Sequence, residues 1–410
     1  MKQDGFCWSS KRCNDLTELR QNIEHGSKEQ NMRRVLFKEE HKIFRSAFGK
    51  FLDKEIMPFV EQWEEDEIIP REIWNKMGEQ GFLCPWVKEQ YGGSEVGFEY
   101  SVIINEELFY RGITGILAGL HSDIVVHYIN DNGNEEQKMR WLPGCVSGDI
   151  VTAVAMTEPN TGSDLAAIRT TAIRDGDEYI INGQKTFISI GIHCDLVIVV
   201  AKTDAAAGSQ GISLICVEDG TPGFSKGRNL KKMGWHSQDT AELIFEDCRV
   251  PVSNLLGEEG KGFYYLMQNL QKERLVVSIM AQSMAEAMLD MTVQYCKERT
   301  IFGKPVTFFQ HNTFKIAEMA TEIELGRTFL DSLIVDYIAG DDIVKRVSMA
   351  KAWISEMANR VAYHCVQLHG GYGYMEEYPI CRFARDVRVI PIFAGTTEVM
   401  KLIIGRMMGL

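Results

Sequence analysis

The sequence predicts an α+β multidomain protein with an N-terminal helical domain, a middle antiparallel β-sandwich or barrel, and a C-terminal four-helix bundle. Apolar residues recur at helical spacing before residue 150, short β-prone runs follow, and long segments rich in helix formers occupy the C-terminal part. At 410 residues the chain is too long for one ordinary compact core. We therefore expect domains at 32–150, 151–258 and 259–410, preceded by a poorly packed extension at 1–31.

The N-terminal domain begins with an amphipathic pattern in which Ile43, Phe44 and Phe48 share one helical face. Pro58 and Pro70 interrupt this pattern, because proline disrupts helix interiors. Further helices are predicted at about 98–110, 115–130 and 135–147.

The pattern changes near Asp149, where residues 150–156 form the first of several short β-prone runs. Turn formers such as Asn182-Gly183 separate these runs, and their spacing is typical of an antiparallel sandwich or barrel. The other predicted strands lie at 170–173, 179–181, 196–201, 212–217 and 241–245. From Phe263 the helical period returns, and helices at about 262–298, 308–338 and 343–370 should pack as a bundle.

Composition narrows the function classes. A net charge of −13 argues against a nucleic acid partner, and no apolar run is long enough to predict a membrane-spanning helix. Ten cysteines without a C-x-x-C pair indicate reduced thiols of an intracellular protein. Residues 1–31 carry five basic and five acidic side chains, so they form no clear presequence. We expect a cytoplasmic protein if the source is bacterial and a mitochondrial matrix protein if it is eukaryotic.

Several common site motifs are missing from the sequence. No G-x-G-x-x-G follows a predicted strand, and neither the phosphate-binding G-x-x-x-x-G-K-[ST] pattern nor H-E-x-x-H occurs. His364 and His369 are five residues apart, a poor spacing for two metal ligands on one helical face. We therefore expect no metal.

Three segments carry candidate chemistry. Residues 155–164 (Ala-Met-Thr-Glu-Pro-Asn-Thr-Gly-Ser-Asp) follow the first predicted strand and could hydrogen-bond a planar heteroaromatic ring, although turn chemistry alone predicts an ordinary turn. Residues 271–275 read Gln-Lys-Glu-Arg-Leu, and residues 393–398 read Phe-Ala-Gly-Thr-Thr-Glu. A glutamate between Lys272 and Arg274 is usually a solvated surface residue of a helix.

Together these segments resemble signature strings of the acyl-CoA dehydrogenase family, over about residues 33–410. Many members place the catalytic carboxylate immediately before the late Gly-Thr, where this chain has Ala394. The long-chain and isovaleryl branches place it on an earlier helix, at the position that Glu273 matches. The long-chain branch is the nearest in its strings, and the isovaleryl branch is second.

The resemblance implies FAD as the cofactor. Met156 and Thr157 would lie against the flavin ring. Phe187 would form an aromatic wall, and Ser189 would place a hydroxyl near flavin N5. Ser163 would contact the CoA part of the substrate.

A second group of residues would bind the FAD of a neighbouring subunit, by the same resemblance. Arg299, Phe302 and Gln310 match a segment that contacts pyrophosphate or adenine, and the planar arginine fork pairs well with phosphate. Gln367 and Gly371 would approach the same diphosphate and ribose. Taken alone, the glycines at 370–373 predict only a helix end and a turn.

Thr396 and Glu398 would complete the FAD site, with a side-chain contact from Glu398 left open. Glu273 would act as the base, and Arg274 would help to orient its helix and the CoA. The backbone N–H of Ala394 would bind the thioester carbonyl.

The implied reaction is FAD-dependent α,β-dehydrogenation of a saturated acyl-CoA, of medium or long chain, to trans-2-enoyl-CoA in fatty acid β-oxidation. Glu273 would remove the α proton, and flavin N5 would accept the hydride. A homotetramer and electron-transfer flavoprotein as the electron acceptor are also implied. The alternatives are short branched (isovaleryl-type), aromatic or dicarboxylic substrates, an enoyl-CoA reductase, and a non-catalytic acyl-CoA-binding descendant.

Overall fold

The computed structural model describes Arg34 and residues 36–410, so the predicted extension at 1–31 lies outside the described residues. A helical region, a sheet and a second helical region follow one another along the described chain. This order confirms the predicted α+β class. The proposed boundaries after residues 150 and 258 stay predictions; each falls in a connection between two elements.

The first helix, α1 (Glu39–Phe51), continues through a π-helical turn at Leu52–Ile56 and a 3₁₀ turn at Met57–Phe59. Pro58 lies in that last turn, where its missing N–H prevents a regular helix. The helix predicted at 115–130 is π-helical over Gly119–Val125 before it becomes regular. The other helices of this region are α2 (Val60–Asp66), α3 (Glu72–Glu79), α4 (Phe98–Tyr110), α5 (Val126–Asn132) and α6 (Glu135–Ser147).

The middle region is a sheet of eight strands. These are β1 (Thr152–Ala155), β2 (Thr171–Asp175), β3 (Glu178–Ser189), β4 (Leu196–Lys202), β5 (Ile212–Glu218), β6 (Phe224–Asn229), β7 (Thr240–Pro251) and β8 (Leu255–Leu256). Their order is β6-β7-β3-β2-β4-β5-β8, with β1 beside β4. The pairings of β4 with β1 and β2 are parallel, so the sheet is mixed and not wholly antiparallel as predicted.

The two halves of this sheet meet only where Thr171 of β2 pairs with Lys202 of β4. Side chains of β3 and β7 share one apolar cluster with Val197 and Val199 of β4, as in a sandwich. The alternate residues of β4, including Ile198, pack against the N-terminal helices and α7 (Gly262–Glu298). Since both faces of β4 are covered, its sequence is continuously apolar.

The C-terminal region is a bundle around α7. A short hairpin of β9 (Thr300–Ile301) and β10 (Lys304–Pro305) follows, and then α8 (Gln310–Ile338), α9 (Val344–His369), α10 (Pro379–Asp386) and α11 (Thr397–Met407). The three long helices start and end within two residues of their predicted limits. The strands β6, β8, β9 and β10 were not predicted from the sequence.

The long helix α7 is the centre of the molecule. Its start is pressed against β5, because a Cβ on Gly262 would lie 2.7 Å from the backbone of Ser213. From Glu273 to Leu289 nearly every side chain is buried. A helix covered on all sides in this way can hold a charged group away from water.

Within the described residues, no helix is long and apolar enough to cross a membrane. All eight cysteines of the same part of the chain are free thiols.

Candidate active site

Glu273 lies in the buried stretch of α7, with only 6% of its surface exposed. Its Oε1 accepts a hydrogen bond of 2.9 Å from the hydroxyl of Tyr128 on α5. Burial raises the pKa of the Glu273 carboxyl above its ordinary value, while the Tyr128 hydrogen bond and the charge of Arg274 oppose that rise. The surface position that helix statistics alone indicate is therefore wrong.

Arg274 is also buried, and its Nε atom has no hydrogen-bond partner among the described residues. Burial lowers the pKa of this guanidinium, and the neighbouring Glu273 carboxylate raises it. A buried guanidinium N–H without a partner is costly and fits a site that an anionic or polar ligand completes.

The late loop around Ala394 is held close to this helix through α9. Ala394 has a left-handed φ of 52°, which is strained for a residue with a side chain, and Gly395 follows with φ 87°. The Nζ atom of buried Lys351 donates to the carbonyl oxygen of Gly395. Burial, and then the charge of Arg274, lower the pKa of Lys351 to about 8. Lys351 therefore lies between the arginine beside Glu273 and the Ala394 loop.

The turn after β1 is fixed by a buried ion pair. Lys185 of β3 is fully buried, and its Nζ atom lies 2.8 Å from Glu158 and donates to the carbonyl oxygen of Met156. Glu158 also accepts the backbone N–H groups of Arg169 and Thr170. Burial lowers the pKa of Lys185 to about 8, against the opposite effect of Glu158. This pair holds the predicted flavin-contacting turn on the sheet.

The structure brings together the four predicted flavin-contacting residues. Thr186 N donates to the carbonyl oxygen of Thr157, which joins the turn to the end of β3. The register of β3 against β7 shifts between Lys185 and Ile188, and Phe187 within this bulge has φ 58°. Its ring is 68% exposed. A bulge beside a site commonly re-aims one side chain in this way.

Ser189 ends β3 opposite Thr240, close to this bulge. Ser163, the predicted CoA contact, lies in an exposed loop after the turn. The carboxylate of Glu158, which precedes that loop, is already bonded to backbone N–H groups and to Lys185. Because Ser163 is exposed, a ligand can reach its hydroxyl.

Three of the predicted FAD-binding residues of the C-terminal region line a cavity away from the sheet. Arg299, Gln367 and Gly371 share one cavity of about 970 Å³ at the end of α7 and α9. The guanidinium of Arg299 stacks over the ring of Tyr372 at 5.2 Å. An exposed guanidinium, an amide and a glycine backbone make this cavity suitable for a diphosphate.

The remaining predicted residues surround that cavity or begin α11. Gln310 is the first residue of α8, next to two residues that line the cavity. Phe302, at the tip of the β9–β10 hairpin, is 93% exposed with φ 48°. Thr396 caps α11, since its Oγ1 accepts from Val399 N, and Glu398 is exposed in the first turn.

Sequence reasoning missed Tyr128, Lys185 and Lys351. Each of them contacts a predicted segment from a distance in sequence, of 145 residues for Tyr128 to Glu273 and 44 for Lys351 to Gly395. No local signal marks the burial of these residues; Lys185, for example, stands in the polar run Gly-Gln-Lys-Thr at 183–186.

The residues of the site limit which cofactor it can hold. The exposed aromatic ring of Phe187 beside the polar turn fits a flat, polar-edged ligand such as a flavin. No group of three or more metal-ligating side chains occurs among residues 34 and 36–410.

This arrangement is that of a three-domain flavoprotein oxidoreductase acting on acyl-CoA. The chain belongs to the acyl-CoA dehydrogenase family: the family's N-terminal domain matches residues 38–149, its middle domain 153–248 and its C-terminal domain 260–409.

Named relatives support the same placement. The mitochondrial long-chain specific acyl-CoA dehydrogenase of Sus scrofa is 48% identical over 375 residues, which is 91% of this chain and 87% of the relative. The mitochondrial isovaleryl-CoA dehydrogenase of Pongo abelii is 38% identical over 373 residues, covering 90% and 88%. The crystal structure of an acyl-CoA dehydrogenase from Geobacillus kaustophilus is 60% identical, with a TM-score of 0.90 and coverage of 91% and 99%.

Proposed function

We propose that this protein oxidises a saturated medium- or long-chain acyl-CoA to the trans-2-enoyl-CoA, with Glu273 as the base. The observation that carries the proposal is a carboxylate that is only 6% exposed, on the central helix of the molecule. The 48% identity to a long-chain enzyme supports the chain-length assignment.

Glu273 would take the proton from the carbon α to the thioester. Such a proton is weakly acidic, so the base must be a carboxylate whose pKa lies close to the working pH. Burial raises the pKa of Glu273 in this direction. Glu273 is active as the carboxylate, so activity is present above its pKa and is lost as the pH falls through it.

The loop that carries Ala394 would bind the thioester group of the substrate. The backbone N–H of Ala394 would donate to the thioester carbonyl and stabilise the negative charge that develops there. Lys351 supports this role because it fixes the next peptide through Gly395 O. A preorganised donor of this type lowers the barrier more than a mobile donor does.

FAD is the proposed cofactor, and when bound it supplies the hydride acceptor for the β hydrogen. Met156, Thr157, Phe187 and Ser189 would hold the flavin ring at the end of β3. Thr396 would contact FAD from the start of α11, together with Glu398, which is exposed in the first turn of that helix.

We also propose a homotetramer in which Arg299, Phe302, Gln310, Gln367 and Gly371 complete the FAD site of a neighbouring subunit. The exposed aromatic rings near the cavity, of which Phe302 is the extreme case, support a covering partner. Electron-transfer flavoprotein is the proposed acceptor of the electrons. The proposed compartment is the mitochondrial matrix in a eukaryote or the cytoplasm in a bacterium.

The test is Glu273→Gln, which keeps the shape of the side chain and removes the base. We expect turnover of saturated acyl-CoA, and bleaching of the flavin absorbance by substrate, to fall by at least about 10²-fold. Glu298→Gln, in the last turn of the same helix, is the matched control and should behave as the wild type. Wild-type turnover by Glu273→Gln would refute the base assignment, and a colourless wild-type protein would refute the cofactor.

A second candidate is a dehydrogenase of short branched acyl-CoA, which the 38% identity to an isovaleryl-CoA dehydrogenase favours. A panel of straight short, straight long, branched, aromatic and dicarboxylic acyl-CoAs separates the two. The proposed function requires the highest kcat/KM with straight chains of medium or long length.

A further inference from the structure

Tyr128 has no part in the sequence-based assignment, yet it makes the closest contact to the proposed base. Its side chain is completely buried on α5, and its hydroxyl lies 2.9 Å from Oε1 of Glu273. Burial, and then the charge of the Glu273 carboxylate, raise the pKa of the Tyr128 hydroxyl well above its ordinary value. Tyr128 therefore keeps its proton over the working pH range and stays a donor.

A second residue of α7 acts on the Tyr128 hydroxyl. Asn269 lies four residues before Glu273, so both side chains leave the same face of α7. The Asn269 side chain lowers the pKa of the Tyr128 hydroxyl, against the larger effects of burial and of the Glu273 carboxylate. Since the one hydrogen of the Tyr128 hydroxyl is donated to Glu273, an amide N–H of Asn269 is the group that would stabilise the phenol oxygen.

None of the charged side chains described near Glu273 donates a hydrogen bond to its carboxylate. Arg274 acts on the carboxylate through its charge, from the same helix. Lys272 is turned away, with its Nζ atom 2.7 Å from Nε2 of His127. Among the described residues, Tyr128 is the one hydrogen-bond donor to the carboxylate, and Oε2 has none.

We propose that Tyr128 is a positioning residue for the base: it holds Oε1, stabilises the carboxylate form in a dry site, and leaves Oε2 to take the α proton. The inference rests on the proposed role of Glu273. In that step the α C–H bond breaks and an O–H bond forms at Oε2. The electron pair stays with the α carbon and is delocalised into the thioester carbonyl.

The first test is the pH profile of kcat/KM for Tyr128→Phe. Loss of a donor to the carboxylate raises the pKa of Glu273, so the active form should be lost at a higher pH than in the wild type. We expect kcat/KM to fall about tenfold at about pH 6 and to stay within about twofold at about pH 9. A profile that superimposes on the wild-type profile would overturn the proposal.

The second test measures removal of the α proton separately from the hydride transfer. Exchange of the α protons of a saturated acyl-CoA in D₂O, without an electron acceptor, reports the base independently of turnover. Tyr128→Phe should displace the pH dependence of exchange in the same direction as kcat/KM. Exchange that persists in Glu273→Gln would reject Glu273 as the base, whereas normal exchange in Tyr128→Phe alone would reject only the role of Tyr128.

Tyr110→Phe is the matched control. Tyr110 is likewise a tyrosine that donates to a carboxylate of α7, at 2.6 Å from Asp290, and it has no part in the site. Its variant should keep the wild-type pH profile, and an equal displacement in both variants would show a general loss of packing instead. Asn269→Ala, at a half-buried position, should give a smaller shift in the same direction, and it tests the proposal if Tyr128→Phe does not fold.

Discussion

Lys351 of α9 donates a hydrogen bond of 2.5 Å to the carbonyl oxygen of Gly395, and so joins a buried ammonium to the loop that carries Ala394. The same ammonium is close enough to Arg274 for the guanidinium charge to lower its pKa. The residue next to the proposed base and the proposed thioester-binding loop are therefore connected through one side chain.

Lys351→Met tests this connection. The variant leaves the half-buried Gly395 carbonyl without its donor, which costs at most about 1–3 kcal/mol. We expect a lower urea midpoint and a raised KM for acyl-CoA, since the loop is no longer held. Lys401→Met, which removes an exposed lysine of α11, should change neither quantity. An unchanged KM in Lys351→Met would contradict a role for Lys351 in holding the loop.

Lys185→Met removes one partner of the buried pair with Glu158. The carboxylate left behind is buried and loses its countercharge while it keeps two backbone N–H donors, so we expect a loss of up to about 3–5 kcal/mol in the free energy of unfolding. The flavin content of the purified protein should fall as well, because Lys185 also holds Met156 O.

A double-mutant cycle with Glu158→Gln isolates the pair, and the double variant should be more stable than Lys185→Met. Arg249→Met breaks exposed pairs with Asp175 and Glu178 and serves as the comparison, with a much smaller expected loss. Equal losses at the two pairs would contradict the prediction.

The buried His121, beside β1, should make the stability of the protein sensitive to acid. Its Nδ1 accepts the backbone N–H of Thr152 at 3.1 Å, and its Nε2 lies 3.0 Å from Cys145 O, so the ring is neutral with its hydrogen on Nε2. Burial lowers its pKa from 6.5 to about 4. A lowered histidine pKa means that the unfolded chain binds more protons between about pH 4 and 6.5.

The stability that His121 contributes is thus complete above pH 6.5 and is lost as the pH falls towards 4. The full effect is on the order of 3 kcal/mol. Unfolding curves of the wild type and His121→Gln, measured across this range, check it. The stability difference between the two should change over that window, and a constant difference would exclude the titration of His121 as its cause.

Arg299→Gln tests the cavity at the end of α7. Arg299 is exposed and makes no ion pair among the described residues, so the fold of one subunit should be unaffected. We expect weaker retention of FAD after gel filtration, because a charged partner of the diphosphate is lost. Lys297→Gln, two residues earlier and outside the cavity lining, is the control. Equal flavin loss in both variants would indicate a non-specific charge effect.

Much of the fold was predictable because its signals are local. The three long C-terminal helices follow from helix formers at a helical period, and α7 was expected at the limits it has. The strands β3 and β7 extend further than predicted, because their outer ends are polar and their pairing with each other sustains them. The parallel pairings of β4 were not predictable, since a continuous apolar run indicates that both faces are covered but not which strands lie beside it.

By itself the sequence determined the three-part organisation and the family, and it singled out Glu273 as the proposed base and Ala394 as the proposed thioester contact. Periodicity and motif strings are properties of neighbours along the chain, so they can be read directly. Only the tertiary structure decided that Glu273 is buried, that Tyr128 donates to it, and that Lys351 holds the loop of Ala394. Burial and long-range hydrogen bonds depend on which elements pack together, and no local pattern encodes the buried environment of the Glu273 carboxylate.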